Sequence, residues 1–314
     1  MPAEASHQNG HAAVDVRGAL KEGIARLRDA GISSFTLTAE VLLMHATERD
    51  RTWLFAHPDQ ILDAPAAQKY FAMIDRRVAG EPTQYITGKQ EFWGLEFQVA
   101  PGILIPRPET EHVMEVVLAR LGERGLKIHM DTGAPRETIY VADVGTGSGC
   151  LAVALAYELP HAKVFATDIS TAALEVAKRN AERNDVADRV TFLEGDLLKP
   201  FLAESNALPK AFDVIGSNPP YIGREEEMTL QREVREHEPH SALFAGATGL
   251  ELYGPLVEQA AALLKDRGIL ALELGHDSAD YVRGLFDGQS GWTNVAVTLD
   301  LAGIPRVLAA QRSR

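Results

Sequence analysis

Ile139-Tyr140-Val141-Ala142-Asp143-Val144 runs straight into Gly145-Thr146-Gly147-Ser148-Gly149, and an apolar stretch from Cys150 to Glu158 follows. The first six residues read as a buried strand. The glycines read as a tight turn that lets the backbone approach a ligand and presents free N–H groups at a helix start. The alternation of strand and helix continues downstream. Val164 to Asp168 reads as a strand, and Ser170 caps a helix with Leu174, Ala177 and Ala181 on one face. Val190 to Leu193 leads to Gly195-Asp196, and Phe212 to Ile215 is the next buried run. A helix from Leu250 to Leu264, a strand from Ile269 to Leu274 and a helix from Ser278 to Phe286 follow. Two strands, Val295 to Leu299 and Arg306 to Ala310, close the chain. This pattern predicts an α/β fold over 138–314, a Rossmann-like, doubly wound and mostly parallel sheet whose ligands bind at the carboxyl ends of the strands.

The chemistry-bearing residues fall at those strand ends. The turn reads Gly145-x-Gly147-x-Gly149, and Cys150 stands where the dinucleotide fingerprint has Gly or Ala, which argues against NAD. Asp168 follows the turn at the distance where a strand-tip carboxylate accepts from both ribose hydroxyls, the other reading being a helix-capping acid. Asp196 ends the third strand in the same way and is placed to reach an adenine edge with Leu197 against the ring; a plain turn residue is the alternative. After the fourth strand comes Ser217-Asn218-Pro219-Pro220-Tyr221. Two prolines cannot continue a ladder, and the residue before a proline is pushed extended, so a stiff turn should hold Asn218 and Tyr221. Its acceptors are the Asn218 side-chain oxygen and the Pro219 carbonyl, a pair that fits the two hydrogens of a planar NH2 group; ordinary packing of Tyr221 is the bland reading. Cys150 has no histidine partner close in sequence and reads as a core thiol. His237 and His240, split by a proline, read as a surface loop and not as metal ligands, and Arg224 to Glu227 as a solvated helix start.

Upstream, residues 1–13 read as a disordered tail and 14–80 as a helical domain, with Val16, Leu20, Ile24 and Leu27 on one face and helices over Thr38 to His45 and Ala64 to Val78. Residues 81–137 link the two parts. Glu81 to Gly88 is turn-rich, and Glu91 to Trp93 and Leu95 to Val99 around Gly94 read as a linking β-hairpin. Pro106-Arg107-Pro108-Glu109-Thr110-Glu111 is a rigid loop entering a helix with acids in its first turn. Arg107 and Glu109 alone would read as a solvated ion pair, and 122–137 as a surface connection.

The net charge of -13 over 314 residues argues against tight, sequence-blind binding to a long stretch of phosphates, so no stable nucleic-acid partner is expected. A single cysteine fits a reducing compartment. No apolar run approaches a membrane span and no signal peptide is evident, so the expectation is a cytoplasmic protein without a membrane partner.

Together, Asp143 to Gly149, Asp168, Ser217 to Tyr221 and Ile105 to Glu111 resemble the PrmC/HemK family of S-adenosylmethionine-dependent methyltransferases. Tyr85-Ile86-x-Gly88, Phe92-x-Gly94, Phe97, Glu238-Pro239 and Leu272-Glu273-Leu274-Gly275 extend the match over about 15–310. The family often has Gly-Gly at Ala245-Gly246 and a glutamine near Ser278. The resemblance implies methyl transfer to a glutamine side-chain amide in class I peptide release factors. It implies S-adenosylmethionine at Gly145, Thr146, Gly147, Ser148, Gly149, Asp168, Asp196, Leu197 and Asn218, and catalysis by Asn218, Pro219 and Tyr221. Substrate binding would fall to Asn218, Pro219, Pro220, Tyr221, Arg107 and Glu109, with the helical domain recognising the protein substrate and no metal taking part. The same turn suits a ribosomal-protein glutamine or an exocyclic amine of DNA or RNA, and a catalytically silent cofactor-binding adaptor is the alternative from another class.

Overall fold

A computed structural model describes residues 14–125, 137–203 and 208–313; the tail 1–13 and most of the connection 122–137 lie outside the described residues. The chain forms two compact units, one ending at Thr87 and one beginning at Gly88.

The first unit is helical: α1 (Val16–Asp29), α2 (Phe35–Thr47), α3 (Arg51–Ala56), α4 (Ala64–Val78) and α5 (Thr83–Thr87). Asp15, Asp50 and Asp63 cap α1, α3 and α4 by accepting from the N–H of Gly18, Trp53 and Ala66, each at 2.7 Å. Such caps contribute about 1 kcal/mol apiece. The core holds Val16, Leu27, Leu42, Leu43, Leu54, Tyr70 and Ile74. Gly23 of α1 lies under Tyr70, where a Cβ would come within 2.0 Å of the phenol oxygen, so only glycine admits that ring. The turn-rich stretch before Gly88 contains α5, a single short helix behind Pro82, too brief to show a helical period.

The second unit opens with a hairpin, β1 (Lys89–Phe92) and β2 (Leu95–Gln98), followed by α6 (Glu111–Glu123), β3 (Ile139–Val144), α7 (Cys150–Glu158), β4 (Ala162–Asp168), α8 (Thr171–Arg183), β5 (Val190–Glu194) and α9 (Lys199–Leu202). Next come β6 (Phe212–Ser217), β7 (Ile222–Gly223), α10 (Arg232–His237), α11 (His240–Leu243) and β8 (Phe244–Gly246). The unit ends with α12 (Tyr253–Leu263), β9 (Leu264–Glu273), α13 (Ala279–Gly284), β10 (Trp292–Leu299) and β11 (Pro305–Arg312). The seven-stranded sheet has the order β10, β11, β9, β6, β3, β4, β5. β9, β6, β3, β4 and β5 run parallel, and β11 is antiparallel to both its neighbours. Chain order reverses between β3 and β6, so a crevice opens above their carboxyl ends.

Alternation along the strands feeds two apolar layers. Val141, Val164, Val214, Ile269 and Ala271 face α6, α7 and the hairpin. Ala142, Val144, Ile215, Leu270 and Leu272 face α12 and α13. β9 starts earlier than its apolar run suggests. Leu264 pairs with Phe212 and Ile269 with Val214, so residues 265–268 bulge out opposite Asp213. Asp213, the polar break in β6, is thereby satisfied by Lys265 Nζ at 2.7 Å and by the Tyr140 N–H at 2.9 Å.

The hairpin turns on Trp93 and Gly94, with φ of 56° and 70°. That is the primed turn whose twist matches paired strands, and it is unfavourable for a residue as bulky as tryptophan. Glu111 accepts the Trp93 N–H at 2.8 Å and Glu158 the indole N–H at 2.9 Å, which hold it there.

Candidate active site

Three adjacent strand ends build the site: β3 carries the glycine loop, β4 carries Asp168, and β6 carries the Asn218 turn. Gly145, Gly147 and Gly149 all have positive φ (73°, 56° and 82°), a backbone path that side chains resist. The loop is pinned from below. The N–H groups of Gly145 and Thr146 both donate to the Thr167 carbonyl at 2.9 Å. Asp143, buried in β3, accepts from the Thr146 hydroxyl at 2.6 Å and from the Ala152 N–H at 3.1 Å. Burial pushes its carboxyl up to about 7 against those two donors. Asn180 of α8, fully buried, donates to the Ser148 carbonyl at 2.8 Å and pairs both ways with the Gln98 backbone at 2.7 and 3.0 Å, tying hairpin and glycine loop to one side chain. A Cβ on Gly149 would meet Ala177 Cβ at 2.9 Å, so α7 and α8 close on that glycine.

Asp168 accepts the Gly147 N–H at 2.9 Å on Oδ2 and the Ser170 N–H at 2.8 Å on Oδ1. Each oxygen keeps a lone pair for a further donor. Burial raises the Asp168 pKa, opposed by the N–H groups of Ser170, Gly147 and Ile169. Asp168 thus holds the turn through backbone donors and lines the crevice.

A cavity of about 320 Å³ lies over these strand ends, lined by Gly145, Gly147, Asp168, Asp196, Leu197, Asn218 and Pro220. Ile103, Leu104, Ile169, Phe244 and Leu252 supply its apolar walls. Leu197 sits at φ 52°, a costly backbone for leucine, with its carbonyl held by the Thr167 hydroxyl at 2.9 Å. Asp196 is exposed and pairs with Lys199 at 2.5 Å. Among the described residues the lining carries two carboxylates, Asp168 unpaired with a cation and Asp196 paired with Lys199, and no lysine or arginine. A cavity of this size suits a nucleoside-sized ligand. Its charge suits a cationic ligand and opposes the pyrophosphate of a dinucleotide. S-adenosylmethionine, a nucleoside carrying a sulfonium, fits both tests.

Thr146, Ser148 and Gly149 form the loop from behind and are not part of the cavity wall. Asn218 donates from Nδ2 to the Thr110 hydroxyl oxygen at 2.9 Å, which turns its carbonyl oxygen away from Thr110. Tyr221 donates its hydroxyl to Glu273 Oε1 at 3.1 Å, and its ring lies over Gly275, where a Cβ would come within 2.9 Å. Burial and the Glu273 carboxylate raise the Tyr221 pKa, so it stays a donor. Arg107 is paired with buried Glu238 at 2.5 Å, and its charge reaches Tyr221. The charge of Glu109 reaches Glu273. The loop of Arg107 and Glu109 and the turn of Asn218 and Tyr221 are thus brought together.

Cys150 opens α7 half-buried, and burial of the thiol pushes its pKa up to about 12, which disfavours the thiolate. His237 ends α10 half-buried and His240 starts α11 exposed; among the described residues no group of His, Cys, Asp and Glu could hold a metal ion. Arg224 to Thr229 forms a 3-10 turn in which Glu226 accepts the Gly223 N–H at 2.9 Å. Thr110, Asn180, Glu238 and Glu273 reach the site through contacts that the sequence pattern does not assign to them. Glu273 had a signal there, a lone acid ending an apolar strand as Asp168 does.

Two protein-family models match the chain, a PrmC N-terminal domain over residues 18–88 and a methyltransferase small domain over 124–239. The chain is 42% identical over 298 residues to the release factor glutamine methyltransferase of Koribacter versatilis, covering 95% of this chain and 98% of that one. It is 42% identical over 297 residues to the protein of the same name from Moorella thermoacetica, with the same coverage of 95% and 98%. The Nitratidesulfovibrio vulgaris protein of that name is 37% identical over 313 residues, 99% of this chain and 98% of that one. Among solved structures, the catalytic domain of human METTL16 in complex with a MAT2A 3'UTR hairpin shares the fold, with a TM-score of 0.51 at 17% identity over 80% of this chain and 81% of that one. No helix among the described residues is long and apolar enough to cross a membrane.

Proposed function

Because this chain belongs to the release factor glutamine methyltransferase family, we propose that it methylates the side-chain amide nitrogen of a glutamine in class I peptide release factors, in the cytoplasm. The observation that carries the reading is the orientation of Asn218 at the cavity edge. With Nδ2 committed to Thr110, its oxygen is left to accept.

S-adenosylmethionine, when bound, supplies a methyl group activated by the positive sulfur. Gly145, Gly147, Asp168, Asp196 and Leu197 would hold it, Asp168 through the ribose hydroxyls. An amide nitrogen is a poor nucleophile because its lone pair is conjugated with the carbonyl. Asn218 Oδ1 and the Pro219 carbonyl accept its two N–H bonds, orient the nitrogen, and stabilise the positive charge that develops on it. Pro219 and Pro220 keep both acceptors stiff, so little reorganisation accompanies reaction. Tyr221, held by Glu273, gives the flat amide a face to lie against. No strong general base is required, since the nitrogen is very acidic once methylated and loses its proton to water. Arg107 and Glu109 belong to the rim that meets the protein substrate, and the helical unit contributes its recognition.

The test is to incubate the protein with labelled S-adenosylmethionine and, separately, a release factor, ribosomal proteins and nucleic acid. Label on a release-factor glutamine alone is expected; label on either other substrate instead would overturn the assignment. A chain beginning at Gly88 should keep cofactor binding and lose release-factor methylation, and full activity there would remove the helical unit from substrate recognition.

A further inference from the structure

Glu273 ends β9 behind the Asn218 turn, outside the cavity wall, and its one part so far is to hold Tyr221. The residue is buried, Oε1 accepts the Tyr221 hydroxyl at 3.1 Å, and Oε2 has no hydrogen-bond partner. Thr110 is buried as well. Thr110 Oγ1 accepts the Asn218 N–H at 2.9 Å and so has a hydroxyl proton left to give. Its effect on Glu273 is to favour the ionised carboxyl, as a donor would.

We propose that Glu273 is the positioning residue of the methyl-transfer site: as a buried carboxylate it takes the hydroxyl protons of Thr110 and Tyr221 and thereby fixes which way the Asn218 carboxamide faces. This rests on the reading that Asn218 Oδ1 holds the substrate amide. The two ends of an asparagine amide are nearly equal in shape and opposite in polarity, so sterics alone do not choose between them. A Thr110 hydroxyl committed to Glu273 can only accept from Asn218, which turns NH2 inward and oxygen outward. Put a donor at Glu273 and the Thr110 hydroxyl is released to donate to Asn218 Oδ1. The carboxamide then rotates and sets its own NH2 against the substrate's NH2. The strand end cannot shift to absorb the change, because Tyr253 donates to the Glu273 carbonyl at 3.0 Å and accepts the Gly275 N–H at 3.1 Å.

The charged and titratable neighbours of Glu273 are Glu109 on the loop before α6, Arg306 on β11, Cys150 on α7, Tyr221 and Tyr253, with Arg107 beyond Tyr221. Burial pushes Glu273 up to about 7, Glu109 adds to it, and Thr110, Tyr221 and Arg306 oppose it. The accepting form is the ionised one, so activity should rise as pH rises through neutrality.

Glu273→Gln keeps the shape and supplies a donor. With a release-factor glutamine as substrate and saturating cofactor, kcat should fall roughly 100-fold, the scale of a misplaced reacting group. Cofactor affinity by calorimetry should match the parent, and the acid limb of the pH–kcat profile near 7 should vanish. In an Asn218→Ala background the same change should cost almost nothing further, since the two act as one unit. Thr110→Val should reproduce the loss with Glu273 intact. Parental kcat with an unmoved acid limb, a loss that adds in full to that of Asn218→Ala, or a matching loss of cofactor binding overturns the inference. If Glu273→Gln fails to fold, parental kcat in Thr110→Val overturns it. A parent that methylates no glutamine overturns the amide reading, and this inference with it; a normal parent beside an unaffected Glu273→Gln overturns this inference alone.

Discussion

Truncating Asn218 to alanine should remove one acceptor from the pair proposed to hold the amide and leave the turn standing. The shape of 217–221 comes from Pro219 and Pro220 and from the Ser217 hydroxyl, which donates to the Val144 carbonyl at 2.7 Å. None of these depends on the Asn218 side chain. The glycine loop is held by Thr167, Asp143 and Asn180, so cofactor affinity should largely persist. What changes in the ground state is Thr110, which loses a donor at 2.9 Å, a stability cost of about 1 kcal/mol. The transition state loses more. One preorganised hydrogen bond to developing charge is worth about 100- to 1,000-fold in rate, or roughly 3 to 4 kcal/mol. Asn218→Asp separates the two roles. It keeps the acceptor but cannot donate to Thr110, and its charge binds the cationic cofactor in the ground state as well as in the transition state. It should be faster than alanine and slower than the parent. Single-turnover methylation of a release-factor fragment, with cofactor binding measured in parallel, reads both variants. Alanine turning over at the parental rate would show that the amide is held elsewhere.

Asp168→Ala should weaken S-adenosylmethionine binding by about 1.5 to 3 kcal/mol through loss of charged hydrogen bonds, while NAD binds neither protein; unchanged affinity in calorimetry would take Asp168 out of the site. Gly149→Ala puts a side chain at φ 82° and 2.9 Å from Ala177 Cβ, and should lower stability to denaturant by about 1 to 3 kcal/mol; an unchanged midpoint would mean that α7 and α8 separate easily there. Asp143 is raised from 3.8 to about 7 in the folded protein, so the native state holds a proton that the unfolded chain has released. Stability should therefore fall as pH rises from about 4 to 7, and Asp143→Asn should flatten that slope; equal slopes in the two proteins would mean Asp143 ionises normally.

What was legible in the sequence is whatever a local period or a turn residue encodes. The parallel strands could be read because each is a short apolar run bounded by Gly, Pro or a single acid, and their carboxyl ends located the crevice. The hairpin could be read from Gly94, whereas the left-handed Trp93 beside it could not, because Glu111 and Glu158 hold it from far along the chain. The bulge at 265–268 could not be read as part of its strand, since its Lys265 is paired with Asp213 of the neighbouring strand.

The active site divides along the same line. Asp168 and Asn218 stand out because each lines the cavity where its own strand ends. Thr110, Asn180, Glu238 and Glu273 act on residues brought to them by the fold: Asn180 on the carbonyl of Ser148, Glu238 on Arg107, Thr110 on Asn218, and Glu273 on Tyr221. No spacing in the chain links 110, 218 and 273, yet the direction of a single amide depends on all three. An acid that ends a parallel strand has two possible duties, to face the crevice or to face the neighbouring turn. Asp168, with two backbone donors and spare lone pairs, does the first, and Glu273, with a tyrosine donor and an unpartnered oxygen, does the second. The sequence shows both acids in the same place on their strands. Only the donors around each one tell them apart.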